Sequence, residues 1–238
     1  YYMVRGLKRF LFAISYYGAE RYCPVCSKSS NQFCKGGAVK IRNDAQCPHC
    51  GSVERHRLLW IYLLKKTDLF NGKPKRMLHI APEIFFEPRL RKKLKDNYLT
   101  ADLFDPRAMI KMDITKIKFP DESFEVIYCS HVLEHVEEDK KAIGEIFRVL
   151  KKNGWAILLV PIVCEKTFED FSISDPMERL KIYGHKEHVR NYGKDYVDRL
   201  REKGFKVEVI TKNEFLQNDE IIKLGLSSHD SEIYYCTK

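Results

Sequence analysis

The sequence predicts an α/β fold, a mainly parallel sheet layered with helices, preceded by a small metal-binding module. Two observations carry this. From Lys75 onward, short apolar runs alternate with charged amphipathic stretches, the rhythm of βαβ units. Ahead of them stand two matching knuckles, Cys23-Pro-Val-Cys26 and Cys47-Pro-His-Cys50-Gly51, separated by 20 residues.

A chain of 238 residues suits one domain of ordinary size plus an accessory module. Its 44% hydrophobic and 32% charged residues exclude a disordered chain. The apolar run Phe10–Tyr17 is far too short to span a bilayer and no small-residue cleavage site follows it, so a soluble, cytoplasmic protein is expected. The net charge of +9 is uneven: residues 1–100 hold 20 Lys/Arg against 7 Asp/Glu, while residues 101–238 hold 22 against 26. A basic first half suits contact with nucleic acid, anionic lipid or an acidic substrate, or is a solvated basic face.

In chain order the expected parts are a basic and apolar segment over 1–20, a zinc-ribbon-like module over 21–52, a connecting helix over 53–74 and the larger domain over 75–238. Each C-x-x-C turn places two thiolates at one corner, and two corners complete a tetrahedron for Zn²⁺ from Cys23, Cys26, Cys47 and Cys50. With four protein ligands the site is closed, hence structural; Cys34 and His49 are spare soft ligands nearby. Ser52 is a candidate N-cap for the helix carrying Leu58, Leu59, Ile61, Tyr62, Leu63 and Leu64, with Arg55 where a capping-box acid would sit. Arg55, His56 and Arg57 either pack or face a substrate phosphate or carboxylate.

Strands are predicted near Arg76–Ile80, Tyr98–Asp102, Phe124–Cys129, Trp155–Val160, Lys206–Ile210 and Ile233–Cys236. Helices are predicted near Glu87–Lys95, Lys140–Lys152 and Lys194–Lys203, the last two capped by Asn153-Gly154 and Gly204. Cys129, Cys164 and Cys236 fall in strand-like contexts as small core residues. Right-handed crossovers bring the carboxyl ends of the strands to one rim, where ligands bind in such sheets.

Between Ile110 and Pro161 an acid before a Phe-Pro turn (Asp113, Phe119-Pro120), a strand, the loop Ser130-His131-Val-Leu-Glu134-His135, a helix and Trp155-Ala-Ile-Leu-Leu-Val-Pro161 follow in one order. This stretch resembles class I S-adenosylmethionine (SAM) methyltransferases of the small-molecule, ubiquinone-type branch. The resemblance implies a Rossmann-like seven-stranded sheet, with Asp102 on the ribose hydroxyls, Asp113 at the adenine amino group, Ile114 on the adenine ring and Ser130 on the same rim. Where the family carries a glycine-rich turn, this chain reads His79-Ile80-Ala81-Pro82-Glu83. Cofactor binding there requires Ala81 to permit close approach and Glu83 to reach the amino group of SAM, with His79 beside them.

Candidate catalytic groups are His131 and Glu134 after the third predicted strand of the domain, or His188 and His185 in the polar stretch Asp175–Gly193. His188 is the first choice for a base and His185 the second, with Arg190 as an anion clamp and Tyr183 and Tyr192 beside the acceptor. Some ubiquinone-type and RNA-end methyltransferases with similar loops bind a divalent metal, and His131, Glu134 and His135 offer suitable ligand types. The expected function is methyl transfer from SAM to oxygen or nitrogen of a small-molecule or glycan-linked acceptor. Competing readings are an RNA methyltransferase using the basic, zinc-bearing half, and a non-catalytic binding protein that lost the cofactor with its glycines.

Overall fold

Each cysteine knuckle follows a short strand and closes through the same backbone turn. Strand β1 (Arg21–Cys23) pairs antiparallel with β2 (Lys28–Ser30), and β3 (Cys34–Gly36) with β4 (Arg42–Gln46). The amide of Ser27 donates to the Cys23 carbonyl at 2.8 Å, and that of Gly51 to the Cys47 carbonyl at 2.9 Å. Both residues are left-handed, at φ 57° and 80°, a conformation Gly51 adopts freely and Ser27 at some steric cost.

This computed structural model describes residues 15–37, 41–226 and 232–238, so most of the predicted N-terminal segment lies outside the described residues. The described chain divides into two units, one ending at Phe70 and also holding residues 211–232, the other comprising residues 71–210 and 233–238.

In the first unit, α1 (Glu54–Lys66) has Val53 rather than Ser52 as its N-cap residue, and His56 Nδ1 accepts the Val53 amide at 3.0 Å. The Ser52 hydroxyl is used elsewhere, 3.2 Å from the sulfurs of both Cys23 and Cys50. Arg57 faces no substrate: fully buried, it donates to the carbonyls of Ala45, Ser52, Leu224 and Gly225. Those bonds explain why residues 211–232, expected in the larger domain, belong with the cysteine module. Tyr62 against Phe215 and the Lys65–Glu220 ion pair reinforce the assignment, and α1 is core to its unit rather than a connector.

The second unit is built on the seven-stranded sheet expected from the sequence. Strands β5 (Met77–Ile80), β6 (Tyr98–Asp102), β7 (Ile110–Lys111), β8 (Phe124–Ser130) and β9 (Leu150–Leu159) are parallel in the order 9-8-5-6-7. After the short cover strands β10 (Ile162–Cys164), β11 (Phe168–Glu169) and β12 (Arg190–Gly193), the sheet ends with β13 (Lys206–Ile210) and β14 (Ile233–Thr237). Strand β14 inserts antiparallel between β9 and β13. Helices α2 (Glu87–Leu94), α3 (Asp139–Val149), α4 (Pro176–Tyr183) and α5 (Tyr196–Arg201) complete the unit. Helix α3 buries Ala142, Ile143, Ile146 and Val149, a stripe at helical spacing.

Helix α3 ends earlier than predicted. Asn153-Gly154 lies inside β9, where a Cβ on residue 154 would sit 2.7 Å from the Glu125 carbonyl oxygen. Close strand approach, not capping, explains that glycine. Cys129 and Cys236 are buried as expected, while Cys164 is half-buried with its thiol on the Lys166 carbonyl at 3.1 Å. Among the described residues no helix is long and apolar enough to cross a membrane.

Beyond the ends of β5 and β8 the chain turns through left-handed residues, Ala81 at φ 50° and His131 at φ 55°. Each still bonds the neighbouring strand, Ala81 N to the Ala101 carbonyl and His131 N to that of Leu159, both at 2.8 Å. The alanine thus takes the conformation for which a glycine is ordinarily used, at a cost of about 1 kcal/mol. Ala81→Gly should therefore raise stability by up to about 1 kcal/mol, read as an increase in the midpoint of thermal or denaturant unfolding. A lower midpoint would show that the methyl group, not the turn, governs this position.

Candidate functional site

A cavity of about 740 Å³ opens at the carboxyl ends of β5, β6 and β8, lined entirely by residues of the second unit. Ile80 and Ala81 come from the end of β5, Asp102 to Phe104 from that of β6, Met112 to Thr115 from the segment after β7, and His131 and Val132 from the end of β8. His135 to Glu138 and Glu187 complete the wall.

One half of the cavity pairs carboxylates with apolar surface. Asp102 Oδ1 accepts the amides of Phe104 and Asp105 at 2.7 and 2.8 Å, which pins the side chain and leaves Oδ2 without a partner among the described residues. Asp113 repeats the device, its Oδ1 taking the amide and hydroxyl of Thr115, both at 2.8 Å. Leu103, Phe104, Met112 and Ile114 stand around them, and Phe104 is 87% exposed, an aromatic face left open beside the acid. Leu103, Phe104, Met112 and Thr115 were not singled out in the sequence, although an aromatic two residues after a strand-end acid was a readable signal.

Ala81, Asp102, Asp113, Ile114 and His131 line the cavity, whereas His79, Glu83 and Ser130 do not. His79 is fully buried: its Nδ1 lies 2.6 Å from the Tyr98 hydroxyl and its Nε2 3.2 Å from Glu83 Oε2, while the Tyr128 hydroxyl donates to Glu83 Oε1 at 3.0 Å. Burial pushes the Tyr98 phenol upward, keeping it a donor. Glu83 is therefore engaged within the fold, and His79 is a polar core residue. Ser130 is 5% exposed and its hydroxyl is buried without a partner.

His131 Nδ1 lies 3.1 Å from Glu134 Oε1, and Glu134 is 1% exposed with its Oε2 unpartnered. The Leu133–His135 turn that carries Glu134 is held from beneath by Arg190. That guanidinium donates to the carbonyls of Leu133 and Glu137, both at 2.8 Å, and to that of Val136, while its Nε binds Glu169 at 2.8 Å. Arg190 is thus 1% exposed and spent on the loop, which excludes the expected anion clamp. Tyr192 is likewise buried, its hydroxyl donating to Asp139 at 2.6 Å, and Arg199 joins Asp139 to Glu169. Tyr183 closes the cover segment on itself, its hydroxyl accepting the Asp170 amide at 3.0 Å. None of these three faces an acceptor; they hold β11, β12 and α4 in shape. Gly193 belongs to the same packing, since a Cβ there would fall 2.5 Å from Lys166.

His188 and His185 gather instead with His135, the ring centroids 4.7 Å apart for His135–His188 and His185–His188 and 5.5 Å for His135–His185. Burial, then the neighbouring His135, pushes His188 down to about 4, so its imidazole is neutral but weakly basic at neutral pH.

In the first unit the four knuckle sulfurs converge, all within 4.8 Å of one another, with Cys23–Cys50 at 3.7 Å and Cys26–Cys47 at 3.8 Å. His49 is turned to Ser30 and the Ser29 carbonyl, and Cys34 lies outside the cluster, so neither substitutes for a knuckle cysteine.

Residues 84–158 match the methyltransferase domain family, a span running from just beyond β5 into β9. An uncharacterised protein of Methanocaldococcus jannaschii is 30% identical over 118 residues, 48% of this chain and 56% of that protein, so the similarity spans about half the length of the relative. Among solved structures, an S-adenosylmethionine-dependent methyltransferase of Mesorhizobium loti superposes with a TM-score of 0.52 at 13% identity, covering 76% of this chain and 98% of that one. Phosphoethanolamine N-methyltransferase 2 of Haemonchus contortus, solved with phosphomonomethylethanolamine and S-adenosylhomocysteine, gives 0.51 at 14% identity over 77% and 53%. With the matched stretch and the seven-stranded sheet in agreement, the second unit has the fold of class I S-adenosylmethionine-dependent methyltransferases, and residues 84–158 within it are similar to the methyltransferase domain family.

Proposed function

We propose that this chain transfers the methyl group of SAM to an oxygen or nitrogen of a small-molecule acceptor. The observation that carries the reading is the pair Asp102 and Asp113, each with one oxygen pinned by its own backbone and the other left free beside an apolar slot. Such a slot suits a nucleoside: Asp102 accepts from the ribose hydroxyls by charge-assisted bonds, Asp113 from the adenine amino group, and Phe104 and Ile114 flank the ring. The left-handed turn at Ala81 keeps backbone close to the methionine end. SAM bound there supplies a sulfonium methyl group, and the residues around it position the reactants and exclude water.

Glu134 orients the base in this reading. By accepting from Nδ1 it sets the His131 tautomer, leaving Nε2 to take the proton of an acceptor hydroxyl or amine. His188, neutral but weakly basic, is the poorer base. The acids Glu137, Glu138 and Glu187 line the same cavity and oppose a phosphate-rich acceptor, so a neutral or cationic small molecule is favoured over RNA.

We further propose that the cysteine module holds one structural Zn²⁺. A tetrahedral site with Zn–S of about 2.3 Å has sulfurs about 3.8 Å apart, close to the spacing of the knuckle pairs. Ser52 supplies the outer hydrogen bond to two of the sulfurs.

Three outcomes test these readings. Elemental analysis of purified protein should give near-stoichiometric zinc that is lost in Cys47→Ser; folded wild-type protein free of zinc would rule the site out. Calorimetric titration should show SAM and S-adenosylhomocysteine binding, weakened in Asp102→Ala by about 1.5–3 kcal/mol, or about 10- to 150-fold in Kd. No detectable affinity in the wild type would leave a non-catalytic protein. With an acceptor in hand, His131→Ala should lower kcat by about 10²–10⁴-fold with little change in SAM affinity, and an unchanged kcat would remove His131 as the base.

A further inference from the structure

We propose that His135, His185 and His188 form a second metal site, a three-imidazole centre for a divalent transition ion at the edge of the cavity. Each ring offers one nitrogen, and the three nitrogens all lie within 4.8 Å of one another. Bonds of about 2.0–2.1 Å to a single ion need these nitrogens about 3.3 Å apart, so each ring closes by roughly 1 Å or less. The exposed His185 has the room to do this: its one hydrogen bond, from the Glu187 amide at 3.2 Å to Nδ1, is the contact to be released.

The cluster differs from the ligand set expected in the sequence. His131 and Glu134 bond one another, while His135 turns to two histidines contributed from more than 45 residues downstream, after α4. Three imidazoles in mutual contact hold no internal hydrogen bond and would repel one another if charged. As neutral rings they can instead turn nitrogen lone pairs to one shared cation. The buried Glu134 carboxylate, next in sequence to His135 and with Oε2 unpartnered, is a negative group beside the cluster that favours a bound cation.

Three neutral nitrogen ligands suit Zn²⁺, Co²⁺, Ni²⁺ or Cu²⁺ and are poor for Mg²⁺ or Ca²⁺, which take oxygen. Three protein ligands also leave a tetrahedral ion one open position, unlike the closed cysteine site. Of the three ligands His135 lines the cavity, which sets the centre beside the space where an acceptor would lie. A water or an acceptor oxygen or nitrogen is its fourth ligand. That last role rests on the methyl-transfer reading; the metal binding does not.

The test is titration of the full chain, its cysteine site already loaded with Zn²⁺, with Co²⁺, followed by calorimetry and visible absorption. One further Co²⁺ per chain should bind, without the charge-transfer absorption of thiolate ligation. His185→Ala should weaken it by about 100-fold or more, since even outer-shell changes cost 10–100-fold, and His49→Ala should leave it unchanged. His185 is exposed, so this variant folds whether or not His135→Ala and His188→Ala do. No uptake beyond the cysteine site, or unchanged affinity in His185→Ala, overturns the proposal. SAM titration of the same preparations separates the two readings. Co²⁺ uptake without SAM affinity upholds the metal site while overturning methyl transfer, and SAM affinity without Co²⁺ uptake overturns the metal site alone.

Discussion

The site depends on where β5 and β8 part company. From β5 the chain crosses to β6 on one side, then returns to β8 on the other, so the loops above two adjacent parallel strands diverge and leave a crevice. The two strands are followed by Ala81 and His131, left-handed residues whose amides still reach a neighbouring strand. Hydrogen bonding therefore extends one residue past each regular strand while the side chains are redirected. The cavity, the proposed base and the approach to the cofactor all follow from that geometry.

Two buried arginines do comparable work in the two units. Arg57 gathers carbonyls from residues 45, 52, 224 and 225, and Arg190 gathers those of Leu133, Val136 and Glu137. A guanidinium offers several donors in a rigid plane, and loop carbonyls that make no ladder bond need donors when buried. Arg190 thereby fixes the turn that presents Glu134 and His135, acting on the site without facing it. The same arrangement accounts for the loss of Tyr192 from the acceptor surface, because its hydroxyl is committed to Asp139.

Charge at the site runs against the charge of the chain. The protein is strongly basic, yet Asp102, Asp113, Glu137, Glu138 and Glu187 line its main cavity. Net charge describes the exposed surface as a whole, whereas a concave wall of like-signed groups sets the local field. A cationic cofactor and a neutral or cationic acceptor match that wall.

Much of the fold was legible because its determinants are local. Apolar runs with turn residues between them marked six of the seven strands of the main sheet, all but the two-residue β7, and the knuckle spacing marked the four sulfurs that converge. Asp102 and Asp113 were singled out by the family resemblance, and the structure shows each capping its own following turn, an interaction within three residues. What only tertiary structure decided is where long-range bonds take a polar side chain. Arg190, Tyr192, His79 and Glu83 carry site-like chemistry in sequence but are committed to distant partners in the fold. The joining of His135 to His185 and His188, and of residues 211–232 to the cysteine module, depends on contacts tens to more than a hundred residues apart, which no local pattern encodes.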